Sequence, residues 1–139
     1  MKNIRLFPAR WILTASILGG IFGGLYMVYQ NLNVLEKKKL ARKVLFYGSA
    51  AYLSAITFLF FYPYHIPETT YNVLIPLIFA VGVYLLAYKT HGQELKTHFK
   101  NGGKKASGWV ALGVTVVSFL LVVGYVTFLI ALVAILNLS

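Results

Sequence analysis

The sequence predicts an all-α fold, an integral membrane bundle of four transmembrane helices. Three observations carry that expectation. Of 139 residues, 59% are apolar and only 12% are charged, against about 25% charged in soluble domains. Mean hydropathy is +0.75. Uncharged runs occupy residues 11–30, 44–62, 72–88 and 108–138, each reaching or approaching the ~20 residues that cross ~30 Å of hydrocarbon. In lipid, backbone polar groups must be satisfied within their own segment, which selects helices. A membrane barrel would show apolar/polar alternation, and none is present. The connections are too short for a soluble domain, so residues 1–139 read as a single membrane domain.

The first segment, Trp11–Gln30, holds four glycines in Ser16-Ile-Leu-Gly-Gly-Ile-Phe-Gly-Gly-Leu25. Lys2, Arg5 and Arg10 precede it, as they would a signal peptide. The run exceeds a typical signal core and no Ala-x-Ala site follows, so it reads as retained. On a continuous helix Ala15, Gly19 and Gly23 form one row, and Ser16, Gly20 and Gly24 form another. Lipid tails are as apolar as leucine, so membrane helices associate where small residues permit close approach. The strip suits a second copy of the chain, a larger membrane-protein partner, or packing against Gly48, Ala51 and Ala55 of the next helix.

Phe7-Pro8-Ala9-Arg10-Trp11-Ile12, Gly19-Gly20-Ile21-Phe22-Gly23-Gly24 and Asn31-Leu32 carry a resemblance. The stretch of about residues 7–36 resembles short bacterial multi-pass membrane proteins of unassigned function with a Gly-Gly-rich first helix. Those have a serine- or proline-led start, a Leu-Gly-Gly-Pro-like centre and a following Asn. Ile21 stands where that group has proline. The resemblance implies a membrane location and nothing about activity.

The second segment ends in Phe58-Leu-Phe-Phe-Tyr-Pro-Tyr64. Tyrosine and tryptophan favour the headgroup level, so Tyr62, Tyr64, Tyr71, Trp11 and Trp109 mark interfaces. In the third segment Pro76 falls in the first turns if Asn72 caps the helix, where a missing N–H costs little. The last run would make a helix of ~46 Å, longer than the hydrocarbon is thick. Tilt, a kink near Gly124, an end projecting outward or a covering partner accommodates the surplus.

Charge sets the orientation. Thirteen Lys/Arg against three Glu give +10. The first connection holds Lys37, Lys38, Lys39, Arg42 and Lys43, and the third holds Lys89, Lys96, Lys100, Lys104 and Lys105. The second connection and the C-terminal end hold no Lys or Arg. The positive-inside rule places residues 31–43 and 89–107 in the cytoplasm, with 63–71 and the C-terminus external, in a plasma (inner) membrane. Four full crossings then leave Lys2, Arg5 and Arg10 outside. A first segment that enters and returns at the paired glycines would keep every basic residue inside, because glycine tolerates positive φ. Four crossings are favoured here, since 11–30 has full spanning length and two half-passes are short. Lys37, Lys38, Lys39, Arg42, Lys43, Lys104 and Lys105 form a rim suited to anionic headgroups, at ~1 kcal/mol for each basic residue near the surface. No aromatic residues interleave them as nucleic-acid binding would want.

Candidate chemistry is sparse. With no cysteine, disulfides and thiolate chemistry are excluded. His91, Glu94 and His98 are spaced i, i+3, i+7 and would share a helical face as metal ligands. A solvated helix with ordinary polar residues is the favoured reading of them, and no metal or other cofactor is expected. His65 and Glu68 read as turn residues. No acid falls within a spanning run, whereas proton-coupled carriers keep one there as a relay. The expected function is non-catalytic: an accessory or scaffold subunit, or a homo-oligomer, acting through helix packing. An oligomeric pore lined by Ser/Thr of the second and fourth helices is the alternative, and a metal-responsive regulator the third.

Overall fold

In the computed structural model the described residues are 3–61 and 67–138. They form five α-helices: α1 (Ala9–Leu18), α2 (Ile21–Val34), α3 (Lys38–Phe61), α4 (Ile75–Lys100) and α5 (Gly108–Leu138). A five-residue π-turn, Thr70–Leu74, leads into α4. A two-residue strand β1 (Arg5–Leu6) pairs in parallel with β2 (Lys104–Lys105). Three helices, α3, α4 and α5, are long and apolar enough to cross a membrane.

The continuous first helix expected over 11–30 is absent. Gly20, with φ +77°, lies in the left-handed region that glycine enters without a Cβ penalty, and it separates α1 from α2. The chain then returns antiparallel. Gly23 faces Ala15, Gly24 faces Ser16 and Ile12, and at the open end Phe7 meets Asn31. At ten and fourteen residues, neither arm is of spanning length. Four crossings are thereby corrected to a helical hairpin plus three spanning-length helices.

This hairpin is the core. Ile12, Ala15, Ile21, Leu25, Met27, Val28 and Leu32 are buried in it, while α3, α4 and α5 wrap around it. From α3 come Ala41, Val44 and Tyr52, and from α4 Val83 and Ala87. Tyr52 stacks edge-on against both Phe22 and Phe79, with centroids 5.5 and 5.3 Å away. Gly48 of α3 leaves room for Leu25, whose Cδ2 would lie 2.7 Å from an added Cβ.

Three depths agree. Ser118 touches the hairpin tip about ten residues after α5 begins. Tyr52 and Phe79 each lie about nine residues from the basic ends of their helices at Lys43 and Tyr88–Lys89. At ~1.5 Å per residue all three place the tip roughly 15 Å from the basic face, half the thickness of a hydrocarbon core.

Helix bounds shift where polar residues continue an apolar run. The helix expected from 44 starts at Lys38, and the one expected to end at 88 reaches Lys100 with a kink at His91. Asn72 lies inside the π-turn and caps nothing; Pro76 is in the first turn of α4. The last helix is unbroken at Gly124. Tyr62, Pro63, Tyr64 and His65 lie outside the described residues, and Glu68 is exposed.

Candidate functional site

The residues singled out by sequence fall into two clusters, at the tip and at the base of the hairpin. Every tip glycine except Gly20 is fully covered, and the cover comes from within the chain. A Cβ on Gly19 would meet the Thr115 carbonyl, and one on Gly20 would lie 2.8 Å from Val122. A Cβ on Gly23 would lie 3.3 Å from the Ala15 carbonyl and 3.4 Å from Ser118, and one on Gly24 would collide with the Ser16 hydroxyl. The two rows therefore do not form one outward strip. They close α1 on α2, and both on α5, and the second-helix residues Ala51 and Ala55 are not their partners.

Breaking a helix in an apolar setting leaves backbone groups without intrahelical partners, and Ser118 supplies what α2 needs. Its Oγ accepts the Gly23 N–H at 2.7 Å and donates to the Gly20 carbonyl at 3.3 Å. Ser118 is 3% exposed, so this capping is dry. Other hydroxyls serve their own helices: Ser16, Thr57, Thr115 and Thr127 each donate to the carbonyl four residues earlier, and Thr57 also meets Tyr125 at 2.7 Å.

At the base a polar clasp joins three elements. The Phe7 N–H donates to Asn31 Oδ1 at 2.8 Å. Asn31 Nδ2 donates to the Phe7 carbonyl at 2.9 Å and meets His91 Nε2 at 3.2 Å. Phe7 fixes the amide orientation, so Nδ2 has only protons to offer and Nε2 accepts. The imidazole is then neutral, with its Nδ1 proton pointing at Thr90 Oγ1 2.9 Å away. Thr90 in turn donates to the Leu86 carbonyl at 2.8 Å. Asn31 and His91 are essentially unexposed, so these bonds are unscreened by water. Beside the clasp, Lys37 donates to the Thr90 carbonyl at 3.0 Å and pairs with Glu94. That pair is more than a third exposed, which limits its worth to roughly 0–1 kcal/mol.

The triad His91, Glu94 and His98 does not converge. The kink turns His91 inward to Asn31, Glu94 binds Lys37, and His98 Nε2 faces the Lys104 carbonyl at 3.0 Å. Among the described residues no group of three His, Cys, Asp or Glu could hold a metal ion. Of the basic rim, Lys37 is partly buried, while Lys38, Lys39, Arg42, Lys43, Lys104 and Lys105 are exposed. Sequence reasoning missed the link from Asn31 to His91. The two are sixty residues apart, and the only hint was that each is a polar residue at the edge of an apolar run.

Comparison with protein-family models, with curated proteins and with solved structures finds no match for this chain.

Proposed function

We propose that this chain is a non-catalytic integral membrane protein acting through packing, with α5 as the element presented to a larger membrane-protein partner or to a second copy. One observation carries the reading. Large apolar side chains of α5 stand exposed along its length, from Trp109 at 82% to Ile135 at 65% and Leu136 at 59%. The glycine rows suited to an external contact are instead consumed inside the chain, so the outward contact passes to α5. Its 31 residues span ~46 Å, more than lipid alone covers.

In this reading the hairpin is re-entrant and the basic face is cytoplasmic. The β1–β2 pairing brings Arg5 beside Lys104, and Lys37 pairs with Glu94. The N-terminal segment therefore shares a face with both basic connections, in accord with the positive-inside rule. Residues 31–43 and 89–107 are then cytoplasmic in a plasma (inner) membrane, 63–71 and the C-terminus external, and the N-terminal segment cytoplasmic.

Native mass spectrometry of the tagged chain in mild detergent tests this. The expected result is a stoichiometric partner or a defined oligomer, lost in Val116→Trp plus Val123→Trp. Those exposed positions lie seven apart on one helical face, and the changes keep α5 apolar. A strictly monomeric wild type with nothing co-purifying overturns the proposal.

A further inference from the structure

Beside the hairpin, α2, α3 and α5 leave an apolar groove of about 490 Å³, walled by Phe22, Tyr26, Leu45, Gly113, Val117 and Leu121 among others. We propose that it holds one acyl chain of an anionic phospholipid, whose headgroup is held by Arg42, Lys38 and Lys105.

A groove of this kind does not stay empty in a bilayer, because its walls would lose dispersion contacts. Water does not settle among apolar walls either. The one hydroxyl deep in the groove, Ser118, is already bonded to Gly20 and Gly23, so the occupant must be apolar there. On α5 the groove runs from Val110 to Leu121, roughly 16 Å, which is one leaflet's share of a ~30 Å core. A partner helix crossing the whole membrane would need a longer trough. A single acyl chain does not.

The polar end fits the same ligand. Tyr26 lies six residues above the tip residue Gly20, roughly 9 Å toward the basic face. Its phenol accepts the Gln30 amide proton at 2.6 Å, leaving its own proton to donate to an ester or phosphate oxygen. Leu45, Arg42 and Lys38 fall at i, i−3 and i−7 and so share one stripe of α3, and all but Leu45 are exposed. Arg42 and Leu45 also line an adjoining groove with Tyr29. On the α5 side, exposed Lys105 precedes the groove residue Val110 by five residues. No acid intervenes in either 38–45 or 104–110, so the charge at the mouth is positive and complements a phosphate.

The inference rests on the membrane reading above but not on a protein partner. The test reconstitutes the full chain in nanodiscs of phosphatidylglycerol and phosphatidylcholine, then releases it for native mass spectrometry. One retained phosphatidylglycerol is expected in wild type. Gly113 has open space where a Cβ would stand, so Gly113→Phe fills the groove from an unstrained helical position. It should cut lipid retention at least about tenfold, since several methylene contacts are displaced, while the helical content is unchanged. Arg42→Gln plus Lys105→Gln should keep a lipid but lose the preference for the anionic headgroup. A wild type free of lipid, or equal retention by Gly113→Phe, overturns the proposal. So does a second copy, rather than a lipid, departing in Gly113→Phe. A chain recovered from the soluble fraction would overturn the membrane reading itself, a distinguishable failure.

Discussion

Replacing Asn31 by alanine removes the centre of the clasp. Three partners lose it together: the Phe7 N–H, the Phe7 carbonyl and His91 Nε2. Each net hydrogen bond is worth ~1 kcal/mol, and buried groups left unpaired cost ~1–3 kcal/mol each. The sum is at least about 3 kcal/mol. Burial of Leu6 and Phe7 also holds the segment 5–7, and its release costs the same with or without Asn31. What Asn31→Ala removes is the clasp, leaving the two-residue β1–β2 pair and the Ala106 N–H that donates to the Leu6 carbonyl at 2.9 Å as the segment's remaining hydrogen bonds among the described residues. Release of residues 5–7 should therefore expose the Ala106 amide, although Ala106 is nowhere near position 31 in sequence. At 1.4 kcal/mol per tenfold, 3 kcal/mol corresponds to a loss of protection of about a hundredfold. Hydrogen exchange read by mass spectrometry in nanodiscs measures it. Asn31→Asp, which keeps an acceptor for the Phe7 N–H but no amide donor, should fall between alanine and wild type. Unchanged Ala106 protection in Asn31→Ala would refute the claim that the clasp holds the strand.

Other changes probe separate features. Gly20→Ala forces a Cβ into a backbone with φ +77° and ψ 170°, a region essentially reserved for glycine, at ~1–3 kcal/mol and against Val122, so thermal stability in detergent should fall clearly; Gly124→Ala, with open space around it, should instead gain ~1 kcal/mol from helix propensity. Glu36 sits at φ +63° just past α2, where the Lys37 N–H returns to Leu32 and the Glu36 N–H to Asn33. That is the glycine position of a Schellman ending, and Glu36→Gly should raise stability by ~1 kcal/mol, read as a shift in the melting temperature. Single-cysteine labelling of Asn3→Cys, Lys38→Cys and Asn101→Cys should react from one side of the membrane, with Asn137→Cys reacting from the other. Asn3 and Asn101 on opposite sides would contradict the hairpin.

Hydropathy made α3, α4 and α5 legible, because length and apolarity are additive along a chain. The hairpin was legible only as an option. A Gly19–Gly20 pair is compatible with a continuous membrane helix and with a reversal, and the choice depends on Thr115, Ser118 and Val122 lying beside it, which no local pattern reveals. The charge conflict around Arg5 and Arg10 was the clue pointing the right way, and it was outweighed by the full spanning length of 11–30. His91 shows the converse error. Its spacing to Glu94 and His98 assumes a regular helix, and the kink at φ −152° rotates it off that face. The extension of α4 to Lys100 was missed because charge ends an apolar run without ending a helix.

The order in which the parts are made matters for a fold closed in this manner. The hairpin is synthesised first, yet its glycines rest on Thr115, Ser118 and Val122, and its leading strand rests on Lys104–Lys105. Translation must therefore pass Val122 before residues 5–34 reach their final neighbours. Until then the newborn hairpin shows a bare backbone face at the translocation machinery, and a chain truncated before α5 should be a substrate for quality-control proteolysis rather than a smaller stable protein.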